Sequence, residues 1–143
     1  MTYDEWSDTV GDAVQNDPTW KVEAYRLGLF LVASAWTDTE FLIRDPRGVI
    51  VAGQLLRSAA SVAANVAEGY GRRSPKDRIR YYEYALGSAG ETRAWYVTIG
   101  RAIGRENLEL RLANLLSLTR LLLTMIRHEG EKRSDWMDVE RSH

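Results

Sequence analysis

The stretch NVAEGYGRRSPKD, residues 65–77, stands between two long segments whose apolar residues recur at helical spacing. The earlier helix is expected to stop on Gly69 or Gly71, in the left-handed conformation that glycine adopts without strain. Ser74 and Pro75 then restart a helix, because serine caps free amide groups and proline suits the first helical position. The stretch therefore predicts a sharp corner between two helices.

Helical spacing on either side of this corner predicts the remaining architecture. Long helices are expected over about residues 18–38, 49–68, 75–103 and 106–128. The first begins at an Asp17 cap, the turn-forming residues 45–48 precede the second, and Gly104 separates the last two. Thr2 and Glu5 form a capping-box pattern that predicts a short extra N-terminal helix.

Four long helices with short connections predict an all-α fold, an antiparallel up-down four-helix bundle. A chain of 143 residues is long enough to bury one continuous core. We divide it into an acidic N-terminal extension (residues 1–17), the bundle (residues 18–128) and a charged C-terminal tail (residues 129–143).

Two features of the helices predict self-association. Glycine inside a helix costs about 1 kcal/mol relative to alanine, so Gly87 and Gly90 in the third helix indicate close approach of another helix. The second helix is similarly rich in small residues, namely Ala59, Ala60, Ser61, Ala63, Ala64 and Ala67.

The fourth helix has a main apolar seam formed by Leu108, Leu112, Leu115, Leu122 and Ile126. Off that seam it carries Leu110, Leu116, Leu118, Leu121, Leu123 and Met125. A helix that is apolar around most of its circumference buries more than one face, so we expect a homo-oligomer.

Charge is distributed unevenly along a chain whose net charge is −1. Residues 1–40 carry eight acidic and two basic side chains, and residues 128–143 carry five acidic and three basic ones. Residues 41–127 carry fourteen basic and seven acidic side chains. A basic middle between acidic ends indicates either an anionic partner or neutralisation of opposite charges within the fold.

Composition narrows the classes of function. With no cysteine there are no disulfides, thiolate metal sites or cysteine nucleophiles. His128 and His143 are the only histidines, and residue 125 is methionine, so the Glu-x-x-His pairs of a di-iron bundle are missing. We expect no catalytic residues, no metal and no cofactor.

The first ten residues are acidic, unlike a signal peptide, and no unbroken apolar run reaches the roughly 20 residues of a membrane span. A cytoplasmic protein without membrane contact is therefore expected.

The corner itself has two interpretations. Its glycines lack the Gly-Lys-Ser/Thr of a phosphate loop and the preceding strand of a dinucleotide site. Glu68 stands in the last turn of a helix, where it needs a cation such as Arg57, Arg72 or Arg73, and Asn65 can bond the same carboxylate. A buried, salt-bridged latch is one interpretation, and it is favoured over a catalytic role for Glu68 because no second carboxylate or histidine stands at a helpful spacing. Because Arg72 and Arg73 precede a helix N-terminus, an anion-binding site is the other.

Aromatic and basic residues also alternate on the third helix, a pattern that can stack bases and hold phosphates. The aromatic members are Tyr81, Tyr82, Tyr84, Trp95 and Tyr96, and the basic ones are Arg78, Arg80 and Arg93. Part of this set must serve packing, because Tyr82 falls on the core stripe of the helix.

The motifs RSAASVAANVAEGYGRRS and YALGSAGE, with WKVEA near the start, resemble a family of small four-helix-bundle proteins. These proteins were first noticed as reading frames inside 23S ribosomal RNA intervening sequences. The family includes the accessory variability protein of diversity-generating retroelements, which works with a reverse transcriptase. The resemblance covers about residues 20–127 and is carried by Gln54, Arg57, Ser61, Asn65, Ala67, Glu68, Gly69, Gly71, Arg72, Ala85, Leu86, Gly87, Ser88 and Glu91.

This resemblance implies a four-helix protomer in a ring, commonly a pentamer, without catalytic residues. For the retroelement branch it implies a basic surface that binds RNA or DNA and docks the polymerase. The candidate phosphate contacts are Arg44, Arg47, Arg72, Arg73, Lys76, Arg78 and Arg80. The candidate latch or subunit-interface residues are Arg57, Asn65, Glu68, Gly87, Ser88 and Glu91. This chain differs from that branch in its acidic ends and its pI of about 6.1. An alternative function is a protein-interaction scaffold for a partner encoded nearby, with no direct role in nucleic-acid binding.

Overall fold

The computed structural model describes residues 1–143, and all of its regular secondary structure is helical. The α-helices are α1 (Tyr3–Ser7), α2 (Asp12–Gln15), α3 (Glu23–Asp38), α4 (Pro46–Tyr70), α5 (Pro75–Ile103) and α6 (Arg105–Arg141). Two 3-10 turns, Pro18–Lys21 and Leu42–Arg44, precede α3 and α4. The predicted all-α helical bundle is confirmed.

The four long helices surround a single apolar core. α4 packs against α3 and α5, α5 packs against α6, and the packing between α3 and α6 is the least extensive. The largest fully buried side chains include Phe30, Leu55, Tyr96, Leu115 and Leu122, which represent all four helices. Burial of this kind contributes about 1.5–3 kcal/mol for each large apolar side chain.

The predicted helix over residues 18–38 is interrupted at Val22. Asp17 accepts a hydrogen bond from the Thr19 amide at 2.8 Å and starts a 3-10 turn, and Val22 is extended at φ −83° and ψ 110°. The Arg26 guanidinium donates to the carbonyl of Trp20 at 2.6 Å, and so satisfies an acceptor beside the break. The α-helix itself therefore begins at Glu23.

Residues 45–48 begin α4 and do not form a separate turn, so that prediction was wrong. The Asp45 carboxylate accepts a hydrogen bond from the Arg47 amide at 2.9 Å, and Pro46 occupies the first helical turn. Gly48 is required because a Cβ at this position would lie 2.0 Å from the carbonyl oxygen of Leu42. The turn before α4 and its first residues are thus one tightly packed unit.

The predicted left-handed glycine at the end of this helix was also wrong. α4 continues to Tyr70, and Gly71 is right-handed at φ −78°. Gly69 is needed for close packing instead, because a Cβ there would approach the Tyr82 ring to 2.7 Å. Gly104, at φ 87°, is the one residue with a positive φ, and it separates α5 from α6 as expected.

The last two long helices differ in how closely they follow the prediction. α5 has the predicted bounds, and the Ser74 hydroxyl caps it by accepting from the Asp77 amide at 3.1 Å. α6 continues to Arg141, beyond the predicted end near His128. No proline interrupts this extension, and Lys132 donates to Glu129 one turn earlier at 3.1 Å. The residues predicted as a charged tail are therefore mostly helical.

The outward face of α6 differs from the one predicted. Leu118 is fully buried, together with Leu115 and Leu122. Leu116 and Leu123 are each 51% exposed, seven residues apart on one face, and Leu110 is also exposed. These three leucines have no covering element within the chain.

The close helix contact within the chain lies at other small residues than the sequence predicted. A Cβ at Gly28 of α3 would lie 3.2 Å from Ala63, so the close approach within the chain is between α3 and α4. Nothing lies within 4 Å of a Cβ built on Gly87 or Gly90. Any close approach at Gly87 and Gly90 therefore has to come from another molecule.

α4 is also long and apolar enough to cross a membrane by length and composition, with an 18-residue window of mean hydropathy 1.4. By this measure, the prediction that no segment reaches such apolarity was wrong. A core helix of a bundle has the same composition, and Leu55, Val62 and Val66 of α4 are fully buried in the core.

The N-terminal segment, residues 1–17, packs on the outside of α3. Tyr3 and Trp6 each lie 5.6 Å from the Phe30 ring, measured between ring centroids. Arg26 Nε donates to the Tyr3 hydroxyl at 3.2 Å. The predicted capping box is present, since Thr2 and Glu5 exchange both hydrogen bonds and begin α1.

Candidate nucleic-acid interface

The end of α4 and the start of α5 bring five of the seven candidate phosphate contacts together. We call residues 68–81 the α4–α5 corner; its basic residues are Arg72, Arg73, Lys76, Arg78 and Arg80. A shallow depression of about 510 Å³ is lined here by Ala67, Glu68, Gly71, Arg72, Arg73 and Asp77. The charges of the depression are therefore mixed, with two arginines facing two carboxylates.

One aromatic ring of the corner contacts two guanidinium groups. The Arg72 and Arg80 guanidinium carbons lie 4.8 and 5.0 Å from the centroid of the Tyr81 ring. Tyr84 meets Tyr81 edge to face at a centroid distance of 5.7 Å and is itself 53% exposed. Cation–π contacts of this kind stabilise a surface by about 0.5–1 kcal/mol each. The arrangement forms a platform of Arg72, Tyr81, Arg80 and Tyr84.

Three of the five basic residues are engaged within the chain. Arg72 pairs with Glu68 and donates to the Tyr81 hydroxyl at 3.0 Å. Arg78 donates to the Arg72 carbonyl at 2.7 Å and reaches Glu129 of α6 at 3.4 Å. Arg80 lies 3.8 Å from the carboxylate of Asp77.

Arg73 and Lys76 are the two exposed basic residues of the corner that make no ion pair. Their charges are thus the ones left for an anionic partner. The hydrogen bond that Arg72 donates to Glu68 raises the pKa of Arg72.

The Glu68 side chain is half exposed, so the first of the two interpretations of the corner, a buried latch, was wrong. Arg72 supplies the cation that Glu68 needs. Asn65 does not bond Glu68, because its amide donates to the carbonyl and hydroxyl of Ser61 at 2.9 and 3.0 Å.

The remaining two candidate contacts lie at the opposite end of α4. Arg44 ends the preceding 3-10 turn, and Arg47 stands in the first turn of α4. A helix of 25 residues is about 37 Å long, so the structure separates these arginines from the corner. Arg47 is bound to Asp45 at 2.9 Å, and its hydrogen bonds lower the pKa of Asp45 to about 2. Arg44 is exposed and makes no ion pair.

Three of the candidate latch residues, Arg57, Ser88 and Glu91, connect α4 to α5 over about one helical turn. Arg57 pairs with Glu91, and the Ser61 and Ser88 hydroxyls lie 2.9 Å apart. Deeper in the same interface, the Thr92 hydroxyl donates to that of Ser58 at 3.0 Å. These polar contacts fix the register of the two helices that form the corner. Gly87 takes no part in them.

Some of these contacts could be read from the sequence and others could not. Glu68 and Arg72 stand four residues apart on one helix, a spacing at which opposite charges meet. Arg78 and Glu129 are 51 residues apart, and no local pattern links them. The contact of Tyr81 with Arg72 likewise depends on the bend of the corner. No group of three His, Cys, Asp or Glu side chains is placed to hold a metal ion.

Comparison with known proteins agrees with this architecture. Residues 21–122 match the family described as 23S rRNA-intervening sequence protein. The chain belongs to this family. The match spans α3, α4, α5 and the first half of α6, and so includes the whole corner. The N-terminal segment and the second half of α6 lie outside it.

A solved structure from Bacteroides thetaiotaomicron has a similar fold. It is described as a protein with unknown function from the S23 ribosomal protein family. Its sequence is 27% identical and its TM-score is 0.66, with 72% of this chain and 97% of the other chain covered. A comparison with curated proteins found no match.

Proposed function

We propose that this protein is a non-catalytic, homo-oligomeric accessory protein that binds nucleic acid at the α4–α5 corner. The observation that carries the proposal is the pair Arg73 and Lys76, which are exposed, without an ion pair, and next to the guanidinium–tyrosine platform. Positive charge beside flat aromatic and guanidinium surfaces is the combination that single-stranded nucleic acids bind.

In this proposal the residues of the corner have different roles in binding nucleic acid. Arg73 and Lys76 contact phosphates, since their charges are not neutralised within the chain. Tyr84 offers an exposed ring on which an unpaired base stacks, whereas the Tyr81 ring already contacts the guanidinium groups of Arg72 and Arg80. Arg78 supports the corner through its bonds to Arg72 and Glu129 and does not contact the nucleic acid directly. A single-stranded nucleic acid is the preferred ligand, because its unpaired bases are free to stack.

Self-association is supported by the outward face of α6 and by the open glycines of α5. Leu110, Leu116 and Leu123 are exposed on α6, and Gly87 and Gly90 leave room for another helix. The protomers form a ring, which we take to be a pentamer by resemblance to the family. A ring repeats the corner in every subunit, so one RNA strand contacts several corners and gains avidity.

A reverse transcriptase is the protein partner that we propose, as in the retroelement branch that the sequence resembles. The support is the resemblance itself, carried by the motif around Asn65, Glu68 and Arg72. A reverse transcriptase gene beside the gene of this protein is the expected observation. A neighbourhood without one would remove this part of the proposal and leave the nucleic-acid part intact.

A protein-interaction scaffold is the second candidate function. It is favoured by the exposed apolar side chains at both ends of the bundle, such as Ile43, Ile50 and Trp136, and by the acidic ends of the chain. A scaffold would retain its protein partner in high salt and would not bind RNA.

Two measurements test the proposal directly. Fluorescence anisotropy with a labelled single-stranded RNA should show binding at low salt that weakens steeply as salt is added. Light scattering should give a mass several times that of the 16.3 kDa chain. Lack of binding to RNA and DNA at low salt would overturn the nucleic-acid role, and a monomer mass would overturn the ring.

A further inference from the structure

The seam between α3 and α6 is the least extensively packed of the seams between neighbouring long helices. It nevertheless contains an ion pair that is almost completely buried, between Arg111 and Asp38, whose side chains are 3% and 4% exposed. The attraction between two charges is strong only where water is kept out. Because the two helices pack so little against each other, another part of the chain has to keep water from this pair.

The N-terminal segment contacts both helices of this seam. On α3, the rings of Tyr3 and Trp6 lie against Phe30, which is fully buried. On α6, Arg111 Nη1 donates to the carbonyl oxygen of Met1 at 3.4 Å. The Arg111 guanidinium carbon also lies 5.6 Å from the centroid of the Phe30 ring. The first six residues therefore bridge α3 and α6 where the ion pair is buried.

The same segment is held more weakly than the helices that it bridges. Its helices α1 and α2 have five and four residues, and neither contains a fully buried residue. Helices this short are not stable in isolation, and segments with few buried contacts open at a lower free energy than the core does. The segment also precedes the residues 21–122 that match the family, so it is an addition to the common bundle.

We infer that the N-terminal segment is a detachable strap that holds the α3–α6 seam closed. While it is docked, it shields Phe30 and the Arg111–Asp38 pair from water. When it detaches, water reaches the pair, which is then weak like any exposed ion pair, and α3 and α6 separate. α4 and α5 pack against each other more extensively than any other two helices, so the α4–α5 corner stays as it is. The inference is independent of the proposed function.

Hydrogen exchange followed by mass spectrometry tests whether the strap controls the seam. The variant Tyr3→Ala with Trp6→Ala removes both rings that lie against Phe30. Amides of α3 and of residues 105–118 of α6 should then exchange at least about tenfold faster, while those of α4 and α5 change clearly less. The matched control is Tyr84→Ala with Trp136→Ala, which removes a tyrosine and a tryptophan that are 53% and 68% exposed. This control should leave the amides of α3 and α6 unchanged.

A milder variant covers the case in which the loss of both rings prevents folding. Tyr3→Phe removes only the hydroxyl group to which Arg26 donates at 3.2 Å, so the ring still lies against Phe30. It should accelerate exchange of the same amides by a smaller factor.

Urea unfolding tests whether the strap keeps water from the ion pair. Asp38→Asn is measured once in the wild type and once in the chain that carries Tyr3→Ala and Trp6→Ala. The loss of stability should be clearly smaller in the second chain, because water has already weakened the pair there.

Three results would overturn the inference. Equal acceleration in all four long helices would mean that the segment only adds to the overall stability of the chain. Acceleration confined to residues 1–22 would mean that the segment detaches without opening the seam. An equal cost of Asp38→Asn in both chains would mean that the strap does not shield the pair. None of these results depends on RNA binding or on the number of subunits, so the proposed function is tested separately.

Discussion

Arg111 of α6 and Asp38 at the end of α3 form a two-point ion pair inside the bundle, although they are 73 residues apart in the chain. Arg111 Nε donates to Asp38 Oδ2 at 2.8 Å, and Nη2 donates to Oδ1 at 3.3 Å. Both side chains are less than 5% exposed, and the Tyr96 hydroxyl donates to the same carboxylate at 2.9 Å. Burial, with the nearby Asp38 charge, raises the pKa of Tyr96, so its hydroxyl remains a donor. The pair joins α3 and α6, which pack less extensively against each other than the other neighbouring long helices do.

Breaking this pair on one side should be costly. Asp38→Asn leaves the Arg111 charge buried without its partner, and we expect a loss of about 3–5 kcal/mol in the free energy of unfolding. Arg111→Met leaves Asp38 uncompensated and should cost a similar amount. The double variant should lose clearly less than the sum of the two, which urea unfolding of all four chains measures. Additive losses would mean that the two side chains do not act as a pair.

The Asp45 cap predicts how stability depends on pH. Hydrogen bonds from the side chain and backbone of Arg47 lower the pKa of Asp45 from 3.8 to about 2. A carboxyl group whose pKa is lower in the folded state stabilises the fold fully above about pH 4, and this contribution is lost as the pH falls toward 2. Asp45→Asn keeps the cap but has no charge to lose. Its free energy of unfolding should therefore fall less steeply across this range.

Thermal unfolding at successive pH values measures this difference. Arg47→Ala removes the side-chain donor and leaves the backbone one, so it should partly flatten the same part of the profile. Parallel profiles for the wild type and both variants would contradict the assignment.

Two glycines should respond to alanine in opposite ways. Gly48→Ala places a Cβ 2.0 Å from a backbone oxygen that cannot move aside, and overpacking of this kind costs about 1–3 kcal/mol. Gly87→Ala meets nothing within 4 Å in an α-helix and should stabilise the chain by about 1 kcal/mol. Chemical unfolding of both variants checks the signs. If Gly87 lies at a subunit contact, light scattering should also show weaker assembly for Gly87→Ala.

The signals that predicted the fold correctly were local ones. Ser74, Pro75 and Gly104 act on the residues next to them, so α5 could be bounded from the sequence. The break at Val22 depends on the Arg26 bond to Trp20 and was missed. The Arg111–Asp38 pair could not be predicted either, because the two residues are 73 positions apart and only the fold brings them together.

The candidate site shows the same limit. The sequence places Arg44 and Arg47 in the basic middle region with the corner arginines, but the length of α4 separates them. Which arginines are free also depends on distant partners, as Arg78 and Glu129 demonstrate. The corner could be predicted as basic, and its mixture of paired and unpaired charges could not.

Base stacking should depend on Tyr84. Tyr84→Ala removes the exposed ring of the platform, and we expect a loss of about 1–3 kcal/mol in RNA binding if one base stacks there. Val97→Ala, at a similarly exposed position on the same helix, is the matched control and should bind as the wild type does. Anisotropy titrations at one fixed salt concentration compare the three chains. Equal affinities would show that Tyr84 contacts no base.

The central claim is that unpaired charges at the corner bind phosphates, and the salt dependence of RNA affinity tests it most directly. For a single strand, each phosphate contact contributes about 0.7 to the magnitude of the slope of log affinity against log salt concentration. The double variant Arg73→Ala with Lys76→Ala loses two such contacts at each corner that binds RNA. The magnitude of its slope should therefore fall by about 1.4 per corner. Arg101→Ala with Arg105→Ala removes two exposed arginines near Gly104, at the other end of α5, and should leave the slope unchanged. A wild-type chain that does not bind at low salt, or a slope that Arg73→Ala with Lys76→Ala leaves unchanged, would contradict the claim.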